Sequence, residues 1–147
     1  MRQPKYTLKA EKDLTIFEFV SEGPKGRITK LVTFTETNLK DFFNLAFGDK
    51  DEKTGNINDK IVSNNNDTEK VLSTVVSAVF AFTDKYPEAW VYATGSTNAR
   101  TRLYRMGINK YFTEVEEVFH IFGELNQNWV PFESGIEFEG YAVKRKK

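Results

Sequence analysis

The sequence predicts an α+β fold, a mostly antiparallel β-sheet with one long helix and one or two short helices packed on it. Two observations support this prediction. Runs of β-branched and aromatic residues separated by turn signals fill the first third of the chain. Strands then bracket two helical patterns without a regular βαβ alternation. The length of 147 residues suits a single domain, residues 1–147.

The first third holds the strands of the predicted hairpins. Thr15–Ser21 and Arg27–Thr35 flank the turn signal Gly23–Gly26, and two such runs around a Gly/Pro turn predict a hairpin. Tyr6–Ala10 is a short strand candidate ahead of them. We therefore expect the sheet to begin near the start of the sequence.

The segment Asp41–Gly48 is ambiguous. Its apolar residues at 43, 45 and 47 alternate, which favours a strand, and a short helix capped by Asn38 is the alternative. Asp49–Asn56 opens like an EF-hand loop, but its later residues miss the ligand positions, so we expect a solvated hairpin tip. Ile57–Val62 is a weak strand that would complete this second hairpin.

A long helix is predicted after the Asx-rich turn Ser63–Asp67, which we interpret as structural. Asn66 followed by Glu69 resembles a capping box at its start, and Pro87 stops it soon after Lys85. The helical spacing predicts a buried face formed by Val71, Leu72, Val75, Val76, Val79 and Phe80.

The remaining elements are shorter. We expect a strand at Trp90–Thr94, a helix from about Thr97, a further helical turn or two at Asn109–Glu116, and strands at Val118–Leu125 and Ile136–Lys144. Gly107 is expected to interrupt the helix near Met106. The polar segment Asn126–Gly135 reads as a loop in which Trp129 and Phe132 either anchor the loop to the core or contact a partner.

Composition excludes several classes of function. The formal net charge is 0, so the chain lacks a basic field over the whole molecule, and any anion site must be local. The chain has no cysteine, and its one histidine cannot form a multi-histidine site, so we expect neither a metal nor a cofactor. With no apolar signal region and no run near the ~20 apolar residues of a membrane span, we expect a soluble cytoplasmic protein.

The segment Trp90–Arg105 is the most informative part of the sequence. It reads as a buried strand, a glycine turn and a helix whose first turns carry arginine. Between Ala89 and Thr113 there are three Arg and one Lys but no Asp or Glu. A helix start exposes free N–H groups and a partial positive charge, so arginine there is unfavourable by a few tenths of a kcal/mol. A carboxylate or an external anion should compensate.

One interpretation of this segment is an anion site. Gly95 would allow a tight turn, Ser96 and Thr97 would cap the helix or offer hydroxyls, and the free N–H groups would face a phosphate or carboxylate. Arg100 or Arg102 would hold that anion. The aromatic rings Tyr92 and Tyr104 could stack a base. The turn does not match a P-loop or a Gly-x-Gly-x-x-Gly fingerprint.

The alternative is purely structural. Ser96 would be an ordinary N-cap, and the arginines would pair with the six acids between Asp49 and Glu69. A helical wheel places Ala99, Leu103 and Met106 on the core face. On that wheel Arg102 and Arg105 lie together on one flank, with Arg105 furthest toward solvent, and Arg100 lies on the other flank.

Two further features could carry chemistry. His120 stands among apolar residues, which is typical of a partly buried sheet residue, and no positioned partner for a general base is visible. No Ser-His-Asp order or paired-carboxylate motif stands out, so no catalytic residue is assigned. The basic end Lys144–Lys147 is expected to be a solvated tail that could add phosphate contacts.

Several segments together resemble a small uncharacterised bacterial domain family of about this length. They are Asn44–Asp49, Ser63–Asp67, Lys70–Val75 and Gly95–Tyr104, and the resemblance covers most of Asn44–Gly123. It implies a single-domain bacterial cytosolic protein of unknown function. Asn66 stands where the family pattern has a Gly.

Three functions follow as hypotheses. The leading one is a non-enzymatic binding module that recognises a phosphate-bearing or acidic partner, RNA or DNA among the candidates, through the helix bearing Arg100, Arg102 and Arg105. The second is a protein–protein interaction component, such as one half of a toxin–antitoxin-like pair, and a homo-oligomer is conceivable. The third is a phosphoester-cleaving enzyme that uses arginines for charge stabilisation and His120 or a carboxylate as base.

Overall fold

The computed structural model describes residues 4–58, 63–94 and 98–147, and within the last range the side chains of residues 98–100 lie outside the description. Of the protein, 26% is helical and 39% is strand, which confirms the predicted α+β class. None of the helices in these ranges is long and apolar enough to cross a membrane.

Eight strands form one sheet in the order β1-β2-β3-β4-β5-β8-β6-β7. The strands are β1 (Lys9–Ala10), β2 (Ile16–Gly23), β3 (Gly26–Glu36), β4 (Phe42–Asp49), β5 (Trp90–Ala93), β6 (Phe119–Leu125), β7 (Asn128–Pro131) and β8 (Gly140–Arg145). The helices are α1 (Thr68–Lys85), α2 (Asn98–Lys110) and α3 (Phe112–Val118). Every neighbouring pair is antiparallel except β4–β5, so the predicted mostly antiparallel sheet is confirmed.

The β4–β5 pair is parallel because α1 carries the chain back to the end of the sheet where β4 began. In this register Phe42 lies opposite Trp90, and Leu45 lies opposite Ala93. A parallel pair needs a crossover of this kind, since a hairpin can join only antiparallel strands. This single βαβ unit divides the sheet into an N-terminal part, β1–β4, and a C-terminal part, β5–β8.

The ambiguous segment at residues 41–48 is a strand, and the short helix capped by Asn38 is wrong. The alternation correctly indicated a strand, because Leu45 and Phe47 point into the core and are almost fully buried. By contrast, only Lys9–Ala10 of the strand candidate Tyr6–Ala10 pairs with β2. Of the weak strand candidate at 57–62, Ile57 bridges to Lys50, and residues 59–62 lie outside the description.

We call the sheet face on which the helices pack the covered face. Its core is aromatic: Phe34 of β3 and Phe82 of α1 stack with ring centroids 4.1 Å apart. The prediction of Val71, Leu72 and Val75 as buried is confirmed, but the buried stripe continues through Ala78 and Phe82. The predicted Val76, Val79 and Phe80 are only partly buried, because the sheet meets α1 on one side of the expected face.

The capping box predicted at Asn66 and Glu69 is wrong. The helix begins at Thr68, and Asp67 is the N-cap residue without a side-chain capping bond. Asn66 has a left-handed backbone with φ 60°. The Asp67 carboxylate instead accepts hydrogen bonds from the hydroxyls of Tyr6 (2.6 Å) and Ser21 (2.5 Å). Its role is to tie the start of α1 to β2 and the N-terminal segment.

The interruption expected at Gly107 is also wrong, because α2 runs through this residue to Lys110. A Cβ at Gly107 would lie 3.4 Å from Leu72 Cδ2, so glycine gives α2 a close approach to α1. The predicted helical turn at Asn109–Glu116 is divided between the end of α2 and α3. Val118, where the strand was expected to begin, is the last residue of α3, and β6 begins at Phe119.

The C-terminal part differs from the prediction in its loop. The expected loop at 126–135 contains strand β7, which forms a hairpin with β6. Asn126 and Gln127 make the turn with φ of 52° and 65°, the positive values that a two-residue hairpin turn favours. Strand β8 begins at Gly140 and not at Ile136. Phe138, just before it, is buried against Gly123, where a Cβ would lie 2.3 Å from the ring.

Candidate functional site

The anion site predicted at the start of α2 falls largely outside the described residues. Gly95, Ser96 and Thr97 lie there, and so does the side chain of Arg100. The proposed cradle of backbone N–H groups therefore stays a prediction.

The other two arginines of α2 have different surroundings. Arg102 is exposed and makes no ion pair with any residue in the described ranges. Arg105 is half-buried, and its Nη1 lies 3.5 Å from Glu137 Oε1, so Arg102 and not Arg105 is the more solvent-exposed of the pair. Glu137 precedes β8 and does not belong to the acidic segment 49–69 that was expected to supply the partners. From that segment Glu69 pairs with Lys110 instead, at 3.0 Å.

The buried stripe of α2 is Tyr104, Gly107 and Tyr111, at spacings of three and four residues. The prediction that Met106 faces the core is wrong, since this residue is 44% exposed. Tyr104 points inward on the same side of the helix as Gly107, which lies against Leu72 of α1. Its ring lines an apolar cavity on the covered side, so it cannot stack a base there. The structure does not bring Tyr104 together with the exposed arginine.

The opposite side of the sheet, which we call the open face, presents a different surface. Strand alternation directs five aromatic side chains to it, and none of them belongs to the hydrophobic core cluster. Among the described residues, no side chain of α1–α3 packs on them, since the contacts of the helices are with the covered face. We call these residues the aromatic face: Phe42, Trp90, Tyr92, Phe122 and Trp129.

The rings of the aromatic face form two groups in contact, one of three rings and one of two. Tyr92 lies between Phe42 and Trp129, with centroid distances of 5.8 and 5.3 Å. Trp90 contacts Phe122 at 5.5 Å. Trp129 is 41% exposed, and the other four are partly exposed. The surface therefore offers several ring faces at van der Waals distance from one another.

Cations border the aromatic face. In one row across the sheet, Trp90 lies opposite Lys144, which lies opposite His120. The Lys144 ammonium is 5.7 Å from the Trp90 ring centroid. Lys144 and Lys147 both pair with Glu88, at 3.6 and 3.4 Å. Because two lysines share one carboxylate, this corner carries a local positive charge.

The basic end is thus only partly the solvated tail that was expected. Arg145 points to the covered face, where its Nε donates to Thr83 Oγ1 (2.9 Å) and its Nη2 donates to the Phe80 carbonyl (2.8 Å). This anchor fixes the neighbouring Lys144 on the open face, because successive residues of a strand point to opposite sides.

His120 is exposed on the open face, which corrects the expectation of a partly buried residue. Its ring makes no hydrogen bond or ion pair with any residue that the structure describes, so no acid–base pair is assembled around it there. Within the same ranges no three potential metal-binding side chains cluster.

At the end of the aromatic face where β5 and β6 finish, Tyr92 is joined to a carboxylate. Its hydroxyl donates to Glu124 Oε1 at 3.0 Å. Burial, and then this bond to Glu124, raises the pKa of Tyr92 above its ordinary value. Gly140 leaves room for the pair, because a Cβ there would lie 3.1 Å from Tyr92 Cε1 and 3.2 Å from Glu124 Oε1.

A second polar cluster lies in the N-terminal part and is buried. Lys30 is 1% exposed, and its ammonium donates to Asp49 Oδ1 (2.6 Å) and to the Ser63 carbonyl (3.0 Å). Asp49 is therefore an internal partner and does not belong to the solvated hairpin tip expected at 49–56. Asn65 is also buried, and its Nδ2 donates to Ser21 Oγ and to the Gly26 carbonyl. These contacts pin the Asx-rich turn to β2 and β3, which agrees with its structural interpretation.

Sequence reasoning missed the aromatic face, although one signal was present. In β5, Trp90 and Tyr92 alternate with Val91 and Ala93, and a strand covered on one side only has such two-sided patterning. The alternation could have shown that Trp90 and Tyr92 lie together on one side of the sheet and Val91 and Ala93 on the other.

The fold and this surface define a class of α+β proteins whose single sheet is covered by helices on one face and aromatic on the other. The chain belongs to a family of unknown function (DUF6934), whose model matches residues 2–146. The expected resemblance to a small domain family of unknown function is thereby confirmed. No curated protein and no solved structure matches the chain.

Proposed function

We propose that this protein is a binding module for single-stranded nucleic acid, whose bases stack on the aromatic face and whose phosphates contact the C-terminal lysines. The observation that carries the proposal is the two groups of aromatic side chains, five rings in all, on a sheet face that no described helical side chain covers, with Lys144 against Trp90. The proposal keeps the phosphate-bearing partner expected from sequence and assigns the main contact surface to the sheet instead of α2.

Stacking accounts for the aromatic residues. Each exposed ring leaves apolar surface in water, which is unfavourable at about 25 cal/mol per Å². A base that stacks on such a ring contributes roughly 1–3 kcal/mol. Sheets that bind RNA use aromatic side chains in this way, since every base has a flat π-face. The tilted pair Trp90 and Phe122, and the edge-to-face pair Tyr92 and Trp129, would receive successive bases.

Charge favours a polyanion over a neutral partner at this surface. Lys144 and Lys147 share Glu88, and Lys146 between them is exposed. A polyanion that engages all three lysines would compete with Glu88 for two of them and release counterions. With three phosphate contacts, log K should fall with log salt at a slope of about −2.

The surface favours a single strand over a duplex. The aromatic rings lie on β-strands of a sheet and can meet only bases whose faces are free. In a duplex those faces are occupied by neighbouring base pairs, and binding would be limited to the backbone.

The test is a fluorescence-anisotropy titration of labelled single-stranded and duplex oligonucleotides at two salt concentrations, with quenching of tryptophan fluorescence as a second signal. Trp90→Ala and Trp129→Ala should each weaken single-strand binding by about 1–3 kcal/mol. The control is Met106→Ala, which removes an exposed apolar side chain from α2 and should leave binding unchanged.

Absence of binding at low salt, or equal binding by the wild type and both tryptophan variants, would contradict the proposal. Arg102→Ala belongs in the same series, because Arg102 is exposed on α2, on the other side of the sheet. If this variant alone loses binding, the original hypothesis of an arginine-bearing helix replaces the present one. Retention of an acidic protein without binding of any oligonucleotide would favour the interaction-component hypothesis.

A further inference from the structure

We infer that Glu124 gives the aromatic face a base preference: its carboxylate accepts a hydrogen bond from the exocyclic amino group of a stacked base, so cytosine is bound in preference to uracil. This inference rests on the proposed function, because it concerns the ligand of the same surface.

Glu124 lies at one end of the aromatic face, beside Tyr92 and Trp129. It is opposite Trp129 in the β6–β7 ladder and opposite Gly140 in the β6–β8 ladder. Its side chain is partly buried, and Oε1 accepts the bond from the Tyr92 hydroxyl at 3.0 Å. Oε2 makes no hydrogen bond with any residue in the described ranges. A base stacked on Tyr92 or Trp129 would place its edge within reach of this oxygen.

The charge of Glu124 is the reason to expect a specific role. A carboxylate beside a surface that binds phosphates is unfavourable, because it repels the polyanion. That repulsion is offset where the carboxylate meets a hydrogen-bond donor. Among the bases, the amino group of cytosine is such a donor and is the group that Glu and Asp recognise. Uracil instead has a carbonyl oxygen there, and its single N–H lies between two carbonyls that the carboxylate repels.

The neighbours of Glu124 fix it as an acceptor. The Tyr92 hydroxyl has a single proton, which it donates to Oε1, and Gly140 leaves space for the pair where any side chain would press on both residues. The carboxylate is thereby held in one orientation before a ligand binds. Preorganisation of this kind lowers the entropy lost when the ligand binds.

The test compares cytosine and uracil homo-oligonucleotides of equal length, prepared both as RNA and as DNA, in the anisotropy assay. Two pyrimidines are chosen because their rings stack over similar areas. The wild type should bind the cytosine strand roughly five- to tenfold more tightly. The RNA and DNA arms show whether the ribose hydroxyl contributes as well.

Two variants carry the same change of charge. In Glu124→Gln an amide oxygen can still accept from Tyr92, while the amide N–H₂ becomes a donor that suits a uracil carbonyl, so the preference should disappear or reverse. Glu139→Gln is the matched control. Glu139 is an exposed carboxylate nearby that accepts from the Asn126 N–H at 2.9 Å, and its charge acts on Tyr92 more weakly than that of Glu124, which accepts the Tyr92 hydrogen bond. The Glu139→Gln substitution should leave the ratio of the cytosine and uracil affinities unchanged, even if both affinities rise.

The possible results separate the two claims. If neither strand binds, the proposed function fails. If both strands bind equally to the wild type, only the inference about Glu124 is overturned. Equal shifts of the ratio in Glu124→Gln and Glu139→Gln would also overturn it, because the effect would then be one of net charge. Thermal unfolding of each variant shows whether the fold is intact.

Discussion

The two faces of the sheet are built from similar side chains and differ in what lies against them. On the covered face, Phe34 and Phe82 are buried and stack with centroids 4.1 Å apart. On the open face, Tyr92 and Trp129 meet edge to face at 5.3 Å, and Trp129 stays 41% exposed. Aromatic residues on the covered face stabilise the fold, and those on the open face leave part of their ring surface exposed to solvent. The comparison separates residues that fold the protein from residues that we propose bind a ligand.

The largest effect should come from the covered face. Phe82→Ala removes a ring with no exposed area from between α1 and the sheet, and we expect a loss of about 3–5 kcal/mol in the free energy of unfolding. Trp129→Ala on the open face should lose less than about 1 kcal/mol. Urea denaturation of both variants measures the difference. Equal losses would mean that the open face is part of the core.

Ion pairs allow the same comparison with charges. Asp49→Ala leaves the Lys30 ammonium buried and unpaired, which should cost about 3–5 kcal/mol of stability. The matched pair on the open face joins Lys50 to Glu18 at 3.0 Å, with both side chains about a third exposed, so Glu18→Ala should cost less than about 1 kcal/mol. Adding Lys30→Met to Asp49→Ala should recover stability. A double variant no more stable than the single one would refute burial of the charge as the cause.

Two glycines give a subtler contrast. Gly140→Ala places a Cβ 3.1–3.2 Å from Tyr92 and Glu124, and we expect a loss of about 1 kcal/mol together with a weaker preference for cytosine. Gly107→Ala meets only Leu72 Cδ2 at 3.4 Å, and helix propensity favours alanine, so its stability should be nearly unchanged. Chemical denaturation and the anisotropy ratio measure both quantities. A base preference unaffected by Gly140→Ala would show that the Tyr92–Glu124 pair is irrelevant to it.

The smallest effect concerns pH. Because burial and the bond to Glu124 raise the pKa of Tyr92, the folded protein holds this proton more tightly than the unfolded chain does. The stabilisation is complete below the ordinary tyrosine pKa near 10 and is lost as the pH rises through the raised value. Tyr92→Phe should therefore lose less stability than the wild type between about pH 9 and about pH 11. Parallel stability curves over that interval would contradict this.

Periodicity predicted the parts of the fold that local pattern determines. The alternation at 43, 45 and 47 identified β4, and the helical spacing of Val71, Leu72 and Val75 identified the buried side of α1. Strand β7 was missed because its turn uses Asn126 and Gln127, which adopt positive φ without a glycine to signal it.

The site was harder to predict because it depends on tertiary contacts. A wheel placed Met106 inside, but Tyr104, Gly107 and Tyr111 form the buried side of α2 instead. Likewise, alternation shows that Trp90 and Val91 face opposite sides, but it does not say which side a helix will cover. The arginine-bearing segment was visible in the sequence, whereas the aromatic face is assembled from β4, β5 and the β6–β7 hairpin, three separate regions of the chain.

The crossover between β4 and β5 brings together strands that are far apart in the chain, and this has a consequence for the order of folding. Strands β2, β3 and β4 follow one another directly and can pair as local hairpins, whereas Val91 of β5 must find Val143 of β8 near the other end of the chain. Contacts between distant segments lose loop-closure entropy before they gain stability, so they form late. The aromatic face is built mainly on these late strands, so a partly folded chain lacks it. The assembled row of exposed rings is thus itself a sign that folding is complete.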